Sequence, residues 1–215
     1  MELDEHEQGE VVQKWLRQNG SSLITGIAMG LALVFGWQWW QGKGVRHQEE
    51  AATQYQAFVD AIDANDAGKA KAFAALLADK YADTAYSSLA VLRNAAFLNA
   101  NGKTGDAVKL LQSGKSKVGN PELAEIFTLR LARVLLISGK SAEALKQVDS
   151  IAKPRFPAIA NELRGDIAAA QGHRDEARKA YQLALSTLDQ AAPTRTLLEL
   201  KLIDAGGQPP AKPEA

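Results

Sequence analysis

From Gln18 to Gly42 the chain reads QNGSSLITGIAMGLALVFGWQWWQG, 25 positions without one charged side chain. At about 1.5 Å per residue, the apolar heart from Leu23 to Trp40 approaches the ~30 Å of hydrocarbon in a bilayer. Trp37, Trp39 and Trp40 cluster at one end, and Trp15 stands at the other beside Lys14 and Arg17, where indoles favour the headgroup region. A cleaved signal peptide is a poor match, because the leader is acidic and bulky tryptophans occupy the place of a small-residue cleavage site. The pattern predicts an uncleaved transmembrane helix over residues 18–42. Within it Gly26 and Gly30 form a G-x-x-x-G pair, a candidate contact for a second membrane helix.

Beyond residue 43 the apolar positions change to a helical period interrupted at regular intervals. Three segments share one pattern: NGKTGDAVKLL (101–111), SGKSAEALKQV (138–148) and QGHRDEARKAY (171–181). Each carries a glycine, a basic residue, two variable positions, an acid and an alanine. Gly102, Gly139 and Gly172 lie 37 and 33 residues apart, close to the 34-residue period of tetratricopeptide arrays. The chemistry suits a helix–turn–helix unit: glycine ends the first helix in a left-handed cap, and the acid sits in the first turn of the second. Small residues are then needed where the helices touch, which pairs Ala95 with Ala107, Ala132 with Ala144 and Gly165 with Ala177. Tyr181 and Ala184 follow at the spacings of the tetratricopeptide pattern, although Arg164 stands where that pattern usually has leucine.

Upstream, residues 46–64 and 69–81 read as a degenerate helix pair, with Gly68 lying 34 residues before Gly102. A last helix from Pro193 to about Asp204 is expected to cap the array, and Gly206, Gly207 and the prolines beyond predict a disordered tail over 206–215. The fold expected is therefore all-α: an acidic tail (1–17), a transmembrane helix (18–42), a tetratricopeptide-like array of antiparallel helix pairs (43–205) and the tail.

Charge narrows the function. The chain has 25 basic and 25 acidic residues, with five acids against two basic residues in positions 1–17 and 23 basic against 20 acidic from Lys43 onward. That balance does not supply the net basic surface that phosphate backbones demand, so no nucleic-acid partner is expected. With no cysteine and three histidines (His6, His47, His173), no disulfide, thiolate chemistry or metal site is expected either.

Several motifs look chemical and fail on spacing. The triplets Gly102-Lys103-Thr104, Gly114-Lys115-Ser116 and Gly139-Lys140-Ser141 lack the glycine that a phosphate loop needs five residues earlier, where Phe97, Lys109 and Val134 stand. Asp63 to Gly68 resembles the start of a calcium loop, but Ala67 and Ala74 occupy positions that need oxygen ligands. No catalytic triad or serine elbow can be assembled. Glu49, Glu50, Glu143, Glu162 and Glu176 read as solubilising charges on exposed helix faces. Neither catalytic residues nor a cofactor are expected.

Repeat arrays bind through the first helices of successive units, whose side chains line a curved surface. If Ala95, Ala132 and Gly165 mark the interhelix contacts, the candidates for a concave partner-binding face are Leu92, Arg93, Leu129, Arg130, Arg133, Glu162 and Asp166.

Order and spacing together resemble one family. VVQKWLRQNGSSLITGIAMGLALVFGWQWWQ (11–41), DTAYSSLAVLRNAAF (83–97), TLRLARVLL (128–136) and ELRGDI (162–167) followed by QGHRDEARKAY make the chain similar to YfgM-type ancillary subunits of the bacterial SecYEG translocon. The resemblance implies a single-pass protein of the bacterial inner membrane with a short cytoplasmic N-terminus and a periplasmic repeat domain. Basic residues flank both ends of the span (Lys14, Arg17; Lys43, Arg46), so charge alone leaves the orientation open. The resemblance further implies partners: the translocon, a membrane-anchored periplasmic chaperone of the PpiD type, exported client proteins and the lipid bilayer. The function expected is a non-catalytic adaptor, with a structural scaffold of an envelope assembly or cell-division complex as the alternative.

Overall fold

Glycine-type helix caps set the architecture. A computed structural model describes residues 5–209 of the chain. Among them it has only helices and no strand: α1 (Glu5–Asp63), α2 (Ala67–Lys80), α3 (Ala85–Ala100), α4 (Thr104–Lys117), α5 (Pro121–Ile137), α6 (Ser141–Asp149), α7 (Pro157–Ala170), α8 (Arg174–Thr187) and α9 (Arg195–Asp204). The all-α reading holds, and the helices divide into two units, residues 1–52 and 53–215.

In the first unit the uncharged stretch is helical and its apolar side chains point outward. Ile24, Ile27, Leu33 and Phe35 are exposed, as are Trp37, Trp39 and Trp40. This helix is long and apolar enough to cross a membrane. Two of its polar groups are satisfied locally: Thr25 Oγ1 donates to the Ser21 carbonyl at 2.8 Å, and Asn19 Nδ2 donates to the Trp15 carbonyl at 3.0 Å. In hydrocarbon such back-bonding removes the penalty of an unpaired donor. At the other end the Trp37 and Trp40 rings lie 5.6 Å apart and the Lys43 ammonium sits 3.8 Å from the Trp39 ring centre, a cation–π contact suited to an interface. One expectation changes here: the separate helix expected from residue 46 belongs to α1, which also takes in the acidic leader from Glu5 onward, Met1 to Asp4 lying outside the described residues.

In the second unit five helices end in the same way. Gly102, Gly139, Gly172 and Gly206 have φ between 74° and 82°, and Asn65 has φ 54°. At each, the cap residue's N–H donates to the carbonyl three residues back and the next N–H to the carbonyl five back, as in Lys103→Leu98 at 2.8 Å and His173→Ala168 at 2.9 Å. This pair of hydrogen bonds is the Schellman closure, which satisfies carbonyls that would otherwise be left without donors. The cap of the degenerate pair is therefore Asn65, not Gly68, which lies inside α2. Asparagine serves because its short polar side chain tolerates the left-handed region. At the far end Gly206 and Gly207 close α9 instead of opening the tail, whose residues 210–215 lie outside the described residues.

Five residues beyond four of these caps stands an alanine, and Ala70, Ala107, Ala144 and Ala177 are all fully or nearly fully buried. A methyl group is what lets the paired helices approach. Around them, α3 to α7 share a core built on Leu111, Phe127, Leu131, Leu135, Val148, Leu163 and Ile167. A second cluster joins α7, α8 and α9 through Ala168, Tyr181, Leu185, Leu198 and Leu202. Burying each large side chain stabilises the fold by roughly 1.5–3 kcal/mol. Gly114, met first as part of a failed phosphate motif, is a packing residue: an added Cβ would stand 2.4 Å from the Phe127 ring and 2.9 Å from Val91.

Candidate partner-binding surface

The first helices of the units, α3, α5, α7 and α9, carry the residues expected on a concave face, and the structure separates them. Leu129 is 5% exposed and belongs to the core, so it is withdrawn from that face. Leu92 is half-buried and packs against the same core. Arg93 reaches Asp63 at the end of α1, with 2.8 Å between guanidinium and carboxylate. Arg130 is exposed and Arg133 half-buried, and neither guanidinium has a hydrogen bond or ion pair among the described residues. These two cations on α5 are what remains available on that surface.

Glu162 and Asp166 are used within the chain. Both accept hydrogen bonds from the Lys201 ammonium on α9, at 2.6 and 2.9 Å, and are less than one-fifth exposed. Glu162 is thus no solubilising charge; it is half of a clamp joining the last two first-type helices. Asp166 also accepts from the Tyr181 hydroxyl at 3.0 Å. Burial and the neighbouring Asp166 carboxylate push the Tyr181 phenol well above its ordinary range, since both disfavour a phenolate there.

Tyr181 explains Gly165. A Cβ at residue 165 would stand 2.3 Å from the tyrosine ring, so the nearest group to this glycine is Tyr181 rather than Ala177. Arg164, at a position usually held by leucine, turns instead toward the end of α6. It donates to Asp149 Oδ1 at 3.3 Å and to the Val148 carbonyl at 3.4 Å, where a cation complements the helix dipole.

Sequence reasoning missed Glu125. This carboxylate is buried at 7% exposure on α5, and its two oxygens accept from the backbone N–H groups of Arg155 (2.9 Å) and Phe156 (3.0 Å) at the start of α7. It caps a helix across space, so no local motif marks it. The signal present was an acid inside the apolar run LAEIFTL, a position that a solvated charge would not choose. Among the described residues, no group of three or more His, Asp or Glu side chains comes together in a way that could hold a metal ion.

The chain is similar in sequence to curated relatives along nearly their whole lengths. An ancillary SecYEG translocon subunit of Escherichia coli (strain K12) is 28% identical over 202 residues, covering 93% of this chain and 95% of that protein. Proteins of the same name from Aggregatibacter actinomycetemcomitans and Haemophilus influenzae are 25% and 24% identical, each over 85% of this chain and 89% of the relative. No solved structure matches. The tetratricopeptide repeat-like domain family matches residues 13–207, a span that takes in the apolar helix and all five caps. With family match and repeated cap geometry in agreement, this chain belongs to the tetratricopeptide repeat-like domain family.

Proposed function

We propose that the protein is a non-catalytic, membrane-anchored adaptor of the Sec translocon, holding a periplasmic chaperone of the PpiD type and exported client proteins beside it. The observation that carries this reading is the collinear match of anchor and repeats to ancillary SecYEG translocon subunits. The N-terminus lies in the cytoplasm and the repeat domain in the periplasm, in line with the family resemblance. Membrane attachment supplies local concentration, and the repeat domain supplies contact. The G-x-x-x-G spacing of Gly26 and Gly30 supports a role for the span itself, because two glycines one turn apart let a neighbouring helix approach closely. On α5, Arg130 and Arg133 are the cations left free for a partner.

The test is co-purification from membranes. Intact protein should retain translocon subunits and the anchored chaperone, whereas residues 46–209 released from the anchor should retain far less. Replacing residues 18–42 with an unrelated membrane helix asks whether the span is itself recognised. Failure of the intact protein to capture either partner would favour an envelope or cell-division scaffold.

A further inference from the structure

The repeats provide an internal control for a groove between α2, α3 and α4. Counting back from the cap residues, the fourth and fifth positions of α5 (Leu135, Val134) and α7 (Ala168, Ile167) are buried. The equivalent residues of α3, Leu98 and Phe97, are only half-buried. They form, with Leu110, the apolar lining of a groove of about 710 Å³. Residues of the second-type helices on either side, Lys71 on α2 and Lys109 and Leu110 on α4, line its walls.

Its rim is cationic and uncommitted. Lys71, Lys103 and Lys109 line the groove, are exposed, and form no ion pair among the described residues. Position by position the next units behave differently: Lys140 pairs with Glu143 at 3.2 Å and His173 lies 3.5 Å from Glu176, while Lys103 and the equivalent Asp106 do not pair. Asp106 is the one acid among the lining residues. Amides complete the set. The Asn94 side chain has no hydrogen bond among the described residues, and Asn101 uses only its Nδ2, on the Phe97 carbonyl, leaving its oxygen to accept.

We propose that this groove binds an extended, acidic segment of a partner polypeptide. Apolar side chains of the segment rest on Phe97, Leu98 and Leu110, carboxylates meet the three lysines, and the asparagine amides pair with its backbone, which offers one donor and one acceptor per residue. A nucleic-acid strand is disfavoured by Asp106 on the wall and by a single aromatic ring where strand binding calls for successive stacking platforms. Neither Arg130 nor Arg133 lines the groove, and the proposal does not rest on the translocon assignment.

The test is fluorescence anisotropy of the full chain in detergent with a short peptide alternating glutamate and leucine, its glutamine–leucine counterpart, and an oligonucleotide of equal charge. The acidic peptide should bind, weaken with added salt, and bind about tenfold less tightly to the Lys71→Gln, Lys103→Gln, Lys109→Gln triple variant, the summed effect of three exposed charge pairs. Arg130→Gln with Arg133→Gln should leave this affinity unchanged. Equal binding of the acidic and glutamine peptides, undiminished binding by the triple variant, or preference for the oligonucleotide would each overturn the proposal. The assay contains no translocon, so its outcome is independent of the adaptor reading.

Discussion

The ring of Tyr181 on α8 occupies the space that a side chain at Gly165 on α7 would need, with the closest ring carbon 2.3 Å from the Cβ position. The tyrosine is 3% exposed and its hydroxyl is held by Asp166, so the ring cannot swing aside. Gly165→Ala should therefore destabilise the repeat domain by about 1–3 kcal/mol, and Gly165→Leu by more. Gly105→Ala is the control: it lies inside α4 with open space around it, and should be neutral or slightly stabilising. Urea denaturation of the three variants checks the difference.

At Gly172 the obstacle is backbone conformation. A Cβ there meets nothing within 4 Å, but φ is +79°. Gly172→Ala should cost about 1–2 kcal/mol through left-handed strain alone, whereas Asn65→Gly should be tolerated because glycine relieves the same strain. Thermal melts of the two variants should move apart.

Removing Lys201 strands two carboxylates. Lys201→Met should destabilise by about 1–3 kcal/mol, because Glu162 and Asp166 stay largely shielded from water without their cation. The triple variant Lys201→Met, Glu162→Gln, Asp166→Asn should recover part of that loss. Additive losses in a mutant cycle would show that the clamp contributes nothing as a unit.

Glu125 should matter for the start of α7. Glu125→Ala deprives two backbone N–H groups of their acceptor and should cost about 1–3 kcal/mol. Hydrogen exchange should then speed up first at residues 155–160, and unchanged exchange there would contradict the cross-helix cap.

Tyr181 sets an alkaline limit. Its phenol is raised in the folded state, so the unfolded chain gives up that proton first as pH rises past about 10. The associated stability is complete below the ordinary tyrosine range and is lost on the alkaline side. Absorbance titration should find that Tyr181 resists ionisation until unfolding, a contribution that Tyr181→Phe should remove. Asp66 acts in the opposite sense: hydrogen bonding from the Lys69 backbone N–H holds its carboxyl below the usual range, so its contribution is present at neutral pH and lost in acid.

The sequence by itself determined the long apolar helix, the helical class and three of the five caps, because each is written in neighbouring residues. A charge-free run of membrane length and a glycine five residues before a buried alanine are local codes, read without knowing where the chain goes next. The cap at Asn65 escaped because asparagine reaches the same backbone region without the glycine signature, and Gly206 escaped because the prolines after it suggested disorder. Only the tertiary structure decided the rest. Leu129 and Arg130 are neighbours in one helix, yet one is core and the other free, and that difference depends on which helices pack alongside. Glu162 and Asp166 read as side chains open to a partner until α9 brought Lys201 to them from 39 and 35 residues away. Glu125 caps a helix whose first turn lies 30 residues on. Charge pairs and caps made across such distances leave no periodic trace, since their partners are set by how the helices stack and not by spacing along the chain.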